Sequence, residues 1–156
     1  MTHRDVVRKA SSWLRGREHC GAVAVEVVAC VSSNEIADAI GWKNGHSVLV
    51  ECKASRPDFL ADREKISRRI PGVGLGDYRY YMAPKGTIKP EELTDGWGLV
   101  EIGENHTRVI VKAAYRNREI DAVRDEIRLL VSVLRRIQTR EFVTIVPPTS
   151  DGPDGE

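Results

Sequence analysis

The dipeptide Asn44-Gly45 separates two apolar runs, Ile36 to Lys43 and His46 to Lys53. A two-residue hairpin loop of the type I′ class needs positive φ at both central residues, and Asn-Gly is its strongest signal. Such a turn fixes the register of everything beside it. Lys43 is set against His46, Ile40 against Leu49 and Asp38 against Glu51. Counting outward from the turn, Asp38 and Glu51 form a non-hydrogen-bonded pair, with Cβ atoms about 4.5–5.5 Å apart. Lys53 lies two residues beyond Glu51 and shares its face.

Two opposed carboxylates repel, and Asp and Lys are poor strand formers. Here they flank the apolar run Val48-Leu49-Val50. A local conflict of this kind points to a site. A hard cation bridging Asp38 and Glu51 relieves the repulsion, and Mg²⁺ suits one or two carboxylates completed by water and phosphate oxygens. Such an ion polarises a phosphate and acidifies a bound water, while Lys53 orients that water or offsets charge on phosphorus. The competing assignment is an exposed salt-bridge triad on a solvated sheet face.

The remaining chain reads as alternating helices and strands. Thr2 with Asp5 makes a capping box for a first helix bearing Val6, Val7, Ala10, Trp13 and Leu14. Ala22 to Val31 is a valine-rich strand. After Lys53, Ser55 caps a helix with Pro57 in its first turn, running to about Arg69. Asp77 to Ala83 is a further strand, and Gly98 to Ile102 with Arg108 to Ala113 form a hairpin. Arg118 to Gln138 is a long helix, apolar at Ile120, Val123, Ile127, Leu130, Val131, Leu134 and Ile137, positions adequate for packing on its own domain. Phe142 to Val146 is a short strand or an extended tail. The fold class expected is α/β (α+β), one mixed sheet between helices, with a single domain over 1–146 and a disordered acidic tail over 147–156.

The net charge is +1, with 41% hydrophobic and 30% charged residues. The tail holds Asp151, Asp154 and Glu156 and no base, which leaves the remainder at +4. Basic residues gather at Lys53, Arg56, Arg63, Lys65, Arg68 and Arg69, and again at Arg124, Arg128, Arg135, Arg136 and Arg140. A polyanionic partner is permitted by this distribution. No apolar run reaches the length of a membrane span, and the first residues lack the apolar stretch of a signal peptide, so the expected location is cytoplasmic with no membrane partner. Cys20, Cys30 and Cys52 form neither a disulfide framework nor a zinc pattern; Cys20 and Cys30 read as buried thiols.

The sequence Glu35-Ile36-Ala37-Asp38, the hairpin, and then Glu51-Cys52-Lys53 resembles the PD-(D/E)XK nuclease superfamily, whose restriction-endonuclease-like core has the order αβββαβ. The run Glu51-Cys52-Lys53-Ala54-Ser55-Arg56-Pro57-Asp58-Phe59 is similar to a bacterial and phage branch that includes a DNA-repair-type group. The resemblance covers about residues 1–83; the later strands and long helix look peripheral to it. Ala37 stands where the motif has proline. The resemblance implies Asp38 and Glu51 as metal ligands, the Cys52 carbonyl as a third and Lys53 as the catalytic lysine. It implies Mg²⁺, with Mn²⁺ as a substitute, and a nucleic acid, expected to be DNA, as substrate.

Glu35 is a further candidate for a metal or water role if a bulge or the Ser32-Ser33-Asn34 turn rotates it inward. Glu18 and Glu26 are other carboxylates that could complete the set. Ser55 and Lys65 are candidate substrate contacts, with an Asp58, Asp62 and Lys65 charge ladder as the competing assignment. Gly72, Gly74 and Gly76 follow a helix and precede a strand, the wrong order for a dinucleotide cradle; they suit a loose connection or a flap. The alternative function is a non-catalytic nucleic-acid-binding or oligomeric module, with the long helix as a homodimer surface.

Overall fold

The computed structural model describes residues 1–27, 35–65, 68 and 70–139. Helix α1 (His3–Gly16) begins where expected: Thr2 Oγ accepts from the Asp5 N–H at 3.2 Å and the Asp5 carboxylate accepts from the Thr2 N–H at 2.9 Å. Strands β1 (Ala22–Val27), β2 (Ala37–Lys43) and β3 (His46–Cys52) follow, then α2 (Arg56–Arg63) and β4 (Tyr78–Pro84). A 3-10 turn at Pro90–Glu92 leads to β5 (Gly98–Ile102), β6 (Thr107–Val111) and α3 (Ile120–Gln138). The sheet order is β1-β2-β3-β4-β5-β6, with β3, β4 and β5 mutually parallel and the other neighbours antiparallel. The chain is therefore α/β, with the expected order αβββαβ in its first half. Among the described residues no helix is long and apolar enough to cross a membrane.

The hairpin forms as the turn dictates. Asn44 and Gly45 have φ of 47° and 74°, and the pairs run from Lys43↔His46 to Ala39↔Val50. On the other edge of β2 the ladder skips Glu26 and Asp38: Val25 pairs with Ala39 and Val27 with Ala37, while Glu26 takes φ 48°. This irregularity rolls the strands. Val25 and Ala39 pack on one sheet face, whereas Val27 and Ala37 pack on the other.

Helix α1 covers the first face, placing Val6, Ala10, Trp13 and Leu14 on Val48, Val50, Tyr80 and Val100. The second face carries Phe59 of α2 and Leu129 and Val133 of α3, packed on Ile40, Leu49, Tyr81 and Leu99. Each such fully buried apolar side chain contributes about 1.5–3 kcal/mol. β5, expected to be peripheral, is instead an interior strand, because β4 and β6 cover its two edges.

Three other expectations change. Helix α2 ends at Arg63 rather than Arg69, since the Lys65 N–H turns back to the Asp62 carbonyl and tightens the last turn. Helix α3 reverses its expected orientation: its buried residues are Ala122, Asp125, Glu126, Leu129 and Val133, while Ile120, Ile127, Val131, Leu134 and Ile137 are 46–62% exposed. Four hydrogen bonds to Glu126, from Trp42, Ser47, Gly76 and Arg118, hold it this way. The glycine segment is tied down rather than loose. Arg116 donates to the carbonyls of Val73, Leu75 and Gly76, and the Leu75 N–H donates to Glu35. The Ser32-Ser33-Asn34 turn, the strand or tail expected at 142–146, the acidic tail 147–156 and Cys30 lie outside the described residues.

Candidate active site

Glu51 is the penultimate residue of β3 and Lys53 follows its end, bonded through its N–H to the Met82 carbonyl of β4. Both stand at the carboxyl edge of a parallel strand pair, where open α/β sheets place ligands. Alternation along β3 puts Glu51 with Leu49 on the second face, beside its register partner Tyr81.

Glu51 is 2% exposed. Burial pushes its carboxyl up to about 7; Arg68 and Lys53 oppose the rise, and Asp38 and Asp62 add to it. Its Oε2 lies 3.4 Å from Lys53 Nζ. Its Oε1 has Arg68 Nη2 at 2.7 Å yet no hydrogen bond, so that contact is electrostatic and not a directed bond. Lys53 is buried too, and burial alone would favour its neutral form. Glu51, Asp62 and Asp38 outweigh that and hold its pKa above the ordinary lysine value, so it is a cation.

Asp62, on the inner side of α2, gathers the cluster. It takes Lys53 Nζ at 3.2 Å, Lys65 Nζ at 2.7 Å, Arg68 Nε at 2.8 Å and the Tyr81 hydroxyl at 3.0 Å. Burial raises its pKa, but the hydrogen bonds and charge of Arg68, with Lys53 and Lys65, carry it well below the usual carboxylate range. Arg68 joins Asp62, Glu51 and Glu35, and Arg79 reaches Glu35 at 3.2 Å. The two guanidinium groups stand 5.2 Å from the centre of the Trp97 ring, which stacks on Tyr81. A cavity of about 230 Å³ opens beside them, with Arg68, Arg79, Arg116, Trp97, Thr94 and Asp95 in its wall.

Asp38 is placed less simply than the register implied. Its Oδ2 accepts from the Cys52 N–H at 2.7 Å, and Oδ1 lies 3.5 Å from His3 Nε2 at the start of α1. The carboxylate thus closes the end of the β2–β3 hairpin, near enough to Glu51 to raise its pKa. Glu35 is turned inward and buried, as a rotation of its segment would require, but Arg68, Arg79 and the Leu75 N–H occupy its oxygens. It serves as a structural anion. Gly74 allows this approach: its φ is 85°, and a Cβ there would collide with the Arg79 guanidinium.

The other candidates separate clearly. Glu18 pairs with Lys43 at 2.6 Å, at the turn end of β2 away from Asp38. Glu26 is exposed. Ser55 accepts from the Asp58 N–H at 3.4 Å and caps α2. Lys65 is exposed and pairs with Asp62 as the charge ladder expected, whereas Asp58 is exposed and apart from the buried Asp62. Cys20 and Cys52 are buried free thiols, and burial pushes Cys20 up to about 11.

The oxygens of Asp38 and Glu51, with the Cys52 carbonyl, make a hard donor set of the kind a divalent cation takes. Glu51 Oε1 has the charge of Arg68 Nη2 at 2.7 Å and no well-directed hydrogen bond, so a cation there would take the place of that contact. Among the described residues no group of three His, Cys, Asp or Glu side chains is arranged as a metal site; the candidate set is two carboxylates and a main-chain oxygen. Sequence reasoning gives Arg68 only as one of a basic cluster and Asp62 only as part of a charge ladder, and it does not single out Arg79. Arg79 carried a signal: it is a base inside the buried strand β4, on the same side as Tyr81.

No family model and no curated protein matches the sequence. A solved structure, the SPO1766 protein of unknown function from Silicibacter pomeroyi, is similar with a TM-score of 0.60 at 19% identity, over 96% of this chain and 94% of that one. The likeness is one of fold.

Proposed function

We propose that the chain is a metal-dependent nuclease of the PD-(D/E)XK type, hydrolysing phosphodiester bonds in nucleic acid, with DNA as the expected substrate. The observation that carries this reading is Glu51. It is a buried carboxylate with a raised pKa, held by the charges of Lys53 and Arg68 without a well-directed hydrogen bond to Oε1, and close to Asp38 at the carboxyl edge of β3. Burying a carboxylate costs energy even when it is paired, and the raised pKa shows that Arg68 and Lys53 do not fully offset that cost.

Asp38, Glu51 and the Cys52 carbonyl are the groups that would hold Mg²⁺ or Mn²⁺, which when bound supplies Lewis acidity toward a phosphate and lowers the pKa of a water. Lys53 is a fixed cation that meets negative charge developing on phosphorus without reorganising. Asp62 holds Lys53 in place and keeps it charged. Arg68, Arg79 and Arg116 line the adjoining cavity, where Glu35, Glu51 and Asp62 already offset the charge of the first two. The setting proposed is cytoplasmic.

The test is incubation of the full chain with single- and double-stranded DNA and with RNA, in Mg²⁺ or Mn²⁺. Cleavage that stops on chelation and falls steeply in Asp38→Asn and Lys53→Met is expected. Cleavage unchanged in those variants refutes the assignment. One observation favours the second reading, a nucleic-acid-binding module that retains the fold: Arg68 lies on three carboxylates of the cluster, where a cation would compete with it. That reading predicts strongly salt-dependent binding with no cleavage in any metal.

A further inference from the structure

Helix α3 is amphipathic twice over. Its inner face is fixed to the sheet by Glu126, Leu129 and Val133. Its outer face carries Ile120, Ile127, Val131, Leu134 and Ile137, each 46% exposed or more. With Val123 and Leu130, these residues repeat as a heptad: Ile120, Ile127 and Leu134 recur at one position, and Val123, Leu130 and Ile137 three residues after each. A seam of this spacing is what a second helix fills by knobs-into-holes packing. A contiguous exposed apolar patch on this scale marks an interaction surface.

We propose that this seam binds a second copy of the chain, with the two α3 helices antiparallel about a two-fold axis near Arg128 and Leu129. The seam is self-complementary in that direction. Ile120 meets Ile137, Ile127 meets Leu130 and Leu134 meets Val123, and each contact recurs by symmetry, as an isologous dimer requires. Charge selects the same direction. The first turn is acidic, with Glu119 and Asp121, and the last turn is basic, with Arg135 and Arg136. Antiparallel pairing sets each acidic end against the partner's basic end and opposes the helix dipoles; parallel pairing would set like charges together. Arg128 would meet its own copy near the axis, but Asp125 at 2.6 Å offsets that charge. Arg124 is likewise paired with Asp121, at 3.2 Å.

The experiment is sedimentation equilibrium of the full chain across the micromolar range, followed by crosslinking. A species at twice the 17.4 kDa chain mass is expected. Ile127→Glu and Leu134→Glu should sediment as folded monomers, with unchanged circular dichroism, because both side chains already face water. With a short bis-maleimide, Ile127→Cys should crosslink to its own copy above the level of the unaltered chain. Ile120→Cys should not, since its two copies stand roughly 26 Å apart along antiparallel helices rising about 1.5 Å per residue. A monomer at every concentration overturns the proposal, as does a dimer unaffected by both glutamates. Efficient crosslinking at Ile120→Cys overturns the antiparallel arrangement. A chain that stays monomeric yet loses DNA binding in Arg135→Glu with Arg136→Glu would assign the face to nucleic acid instead.

Discussion

Two buried polar clusters sit at opposite ends of β3, and they differ in how completely they are satisfied. At the start of the strand, Ser47, Asp77, Arg118 and Glu126 close on one another. Asp77 accepts from the Ser47 N–H at 2.8 Å and pairs with Arg118 at 2.9 Å, while Glu126 takes Trp42 Nε1 and Ser47 Oγ, each at 3.0 Å. At the end of the strand, Glu51, Lys53, Asp62 and Arg68 crowd together, yet Glu51 Oε1 has only the poorly directed contact with Arg68 at 2.7 Å and the carboxyl is pushed up to about 7. A closed network that fixes α3 to the sheet has the form of structure. An open one that keeps a carboxylate poorly satisfied at the carboxyl edge of a parallel pair has the form of a site.

That distinction fails if the two clusters respond alike to substitution. The largest effect expected is on cleavage: Lys53→Met should lower the rate about 10²–10³-fold, the scale for loss of one fixed charge-stabilising group, while single-turnover kinetics show DNA still bound. Next, Glu126→Ala should cost about 3–5 kcal/mol in urea unfolding, because it leaves Arg118 without one of its two buried partners. The folded fraction should cleave at the normal rate. A Glu126→Ala chain of full stability but no activity would exchange the roles assigned to the two clusters.

Glu51 separates the clusters further through pH. Its folded pKa, about 7, lies above the ordinary 4.5, so the folded state binds the proton more tightly. The contribution of this group is then fully present below about pH 4.5 and is lost as pH rises through 7. Without added metal, Glu51→Gln should escape that loss. Its stability relative to the parent should rise between those limits by an amount on the order of 3 kcal/mol, from the interval between 4.5 and about 7 at roughly 1.36 kcal/mol per pH unit. Urea midpoints at pH 5 and pH 8 check this. A constant difference, or one that shrinks with pH, would show that Arg68 and Lys53 fully compensate the carboxylate. The smallest effect concerns Ser55→Ala, which should cost about 1 kcal/mol as the loss of a helix cap and leave cleavage per folded molecule unchanged. A rate defect there would restore Ser55 as a substrate contact.

Local chemistry made much of this legible. Asn44-Gly45 set the hairpin register, and Thr2 with Asp5 set the start of α1, because each acts within a few residues. Asp38 departed from the ideal pair because β1 opposes it with an irregularity at Glu26, a cross-strand effect that neither segment shows alone. In the sequence Arg68 is only one of a basic cluster and Asp62 only one rung of a charge ladder, because their importance comes from contacts across the fold, with Glu35, Glu51 and Tyr81. On α3 the apolar stripe from Ile120 to Ile137 predicts the inner face. The true inner face is marked by Glu126, whose partners Trp42, Ser47 and Gly76 are distant in sequence.

The proposed chemistry stands on Asp38 and Glu51 sharing a divalent ion, and anomalous diffraction from crystals soaked in Mn²⁺ probes that directly. A peak is expected between the Asp38 and Glu51 carboxylates, in contact with the Cys52 carbonyl, with Arg68 drawn away from Glu51. No peak at Mn²⁺ levels that support cleavage, with Arg68 still on Glu51, would contradict it.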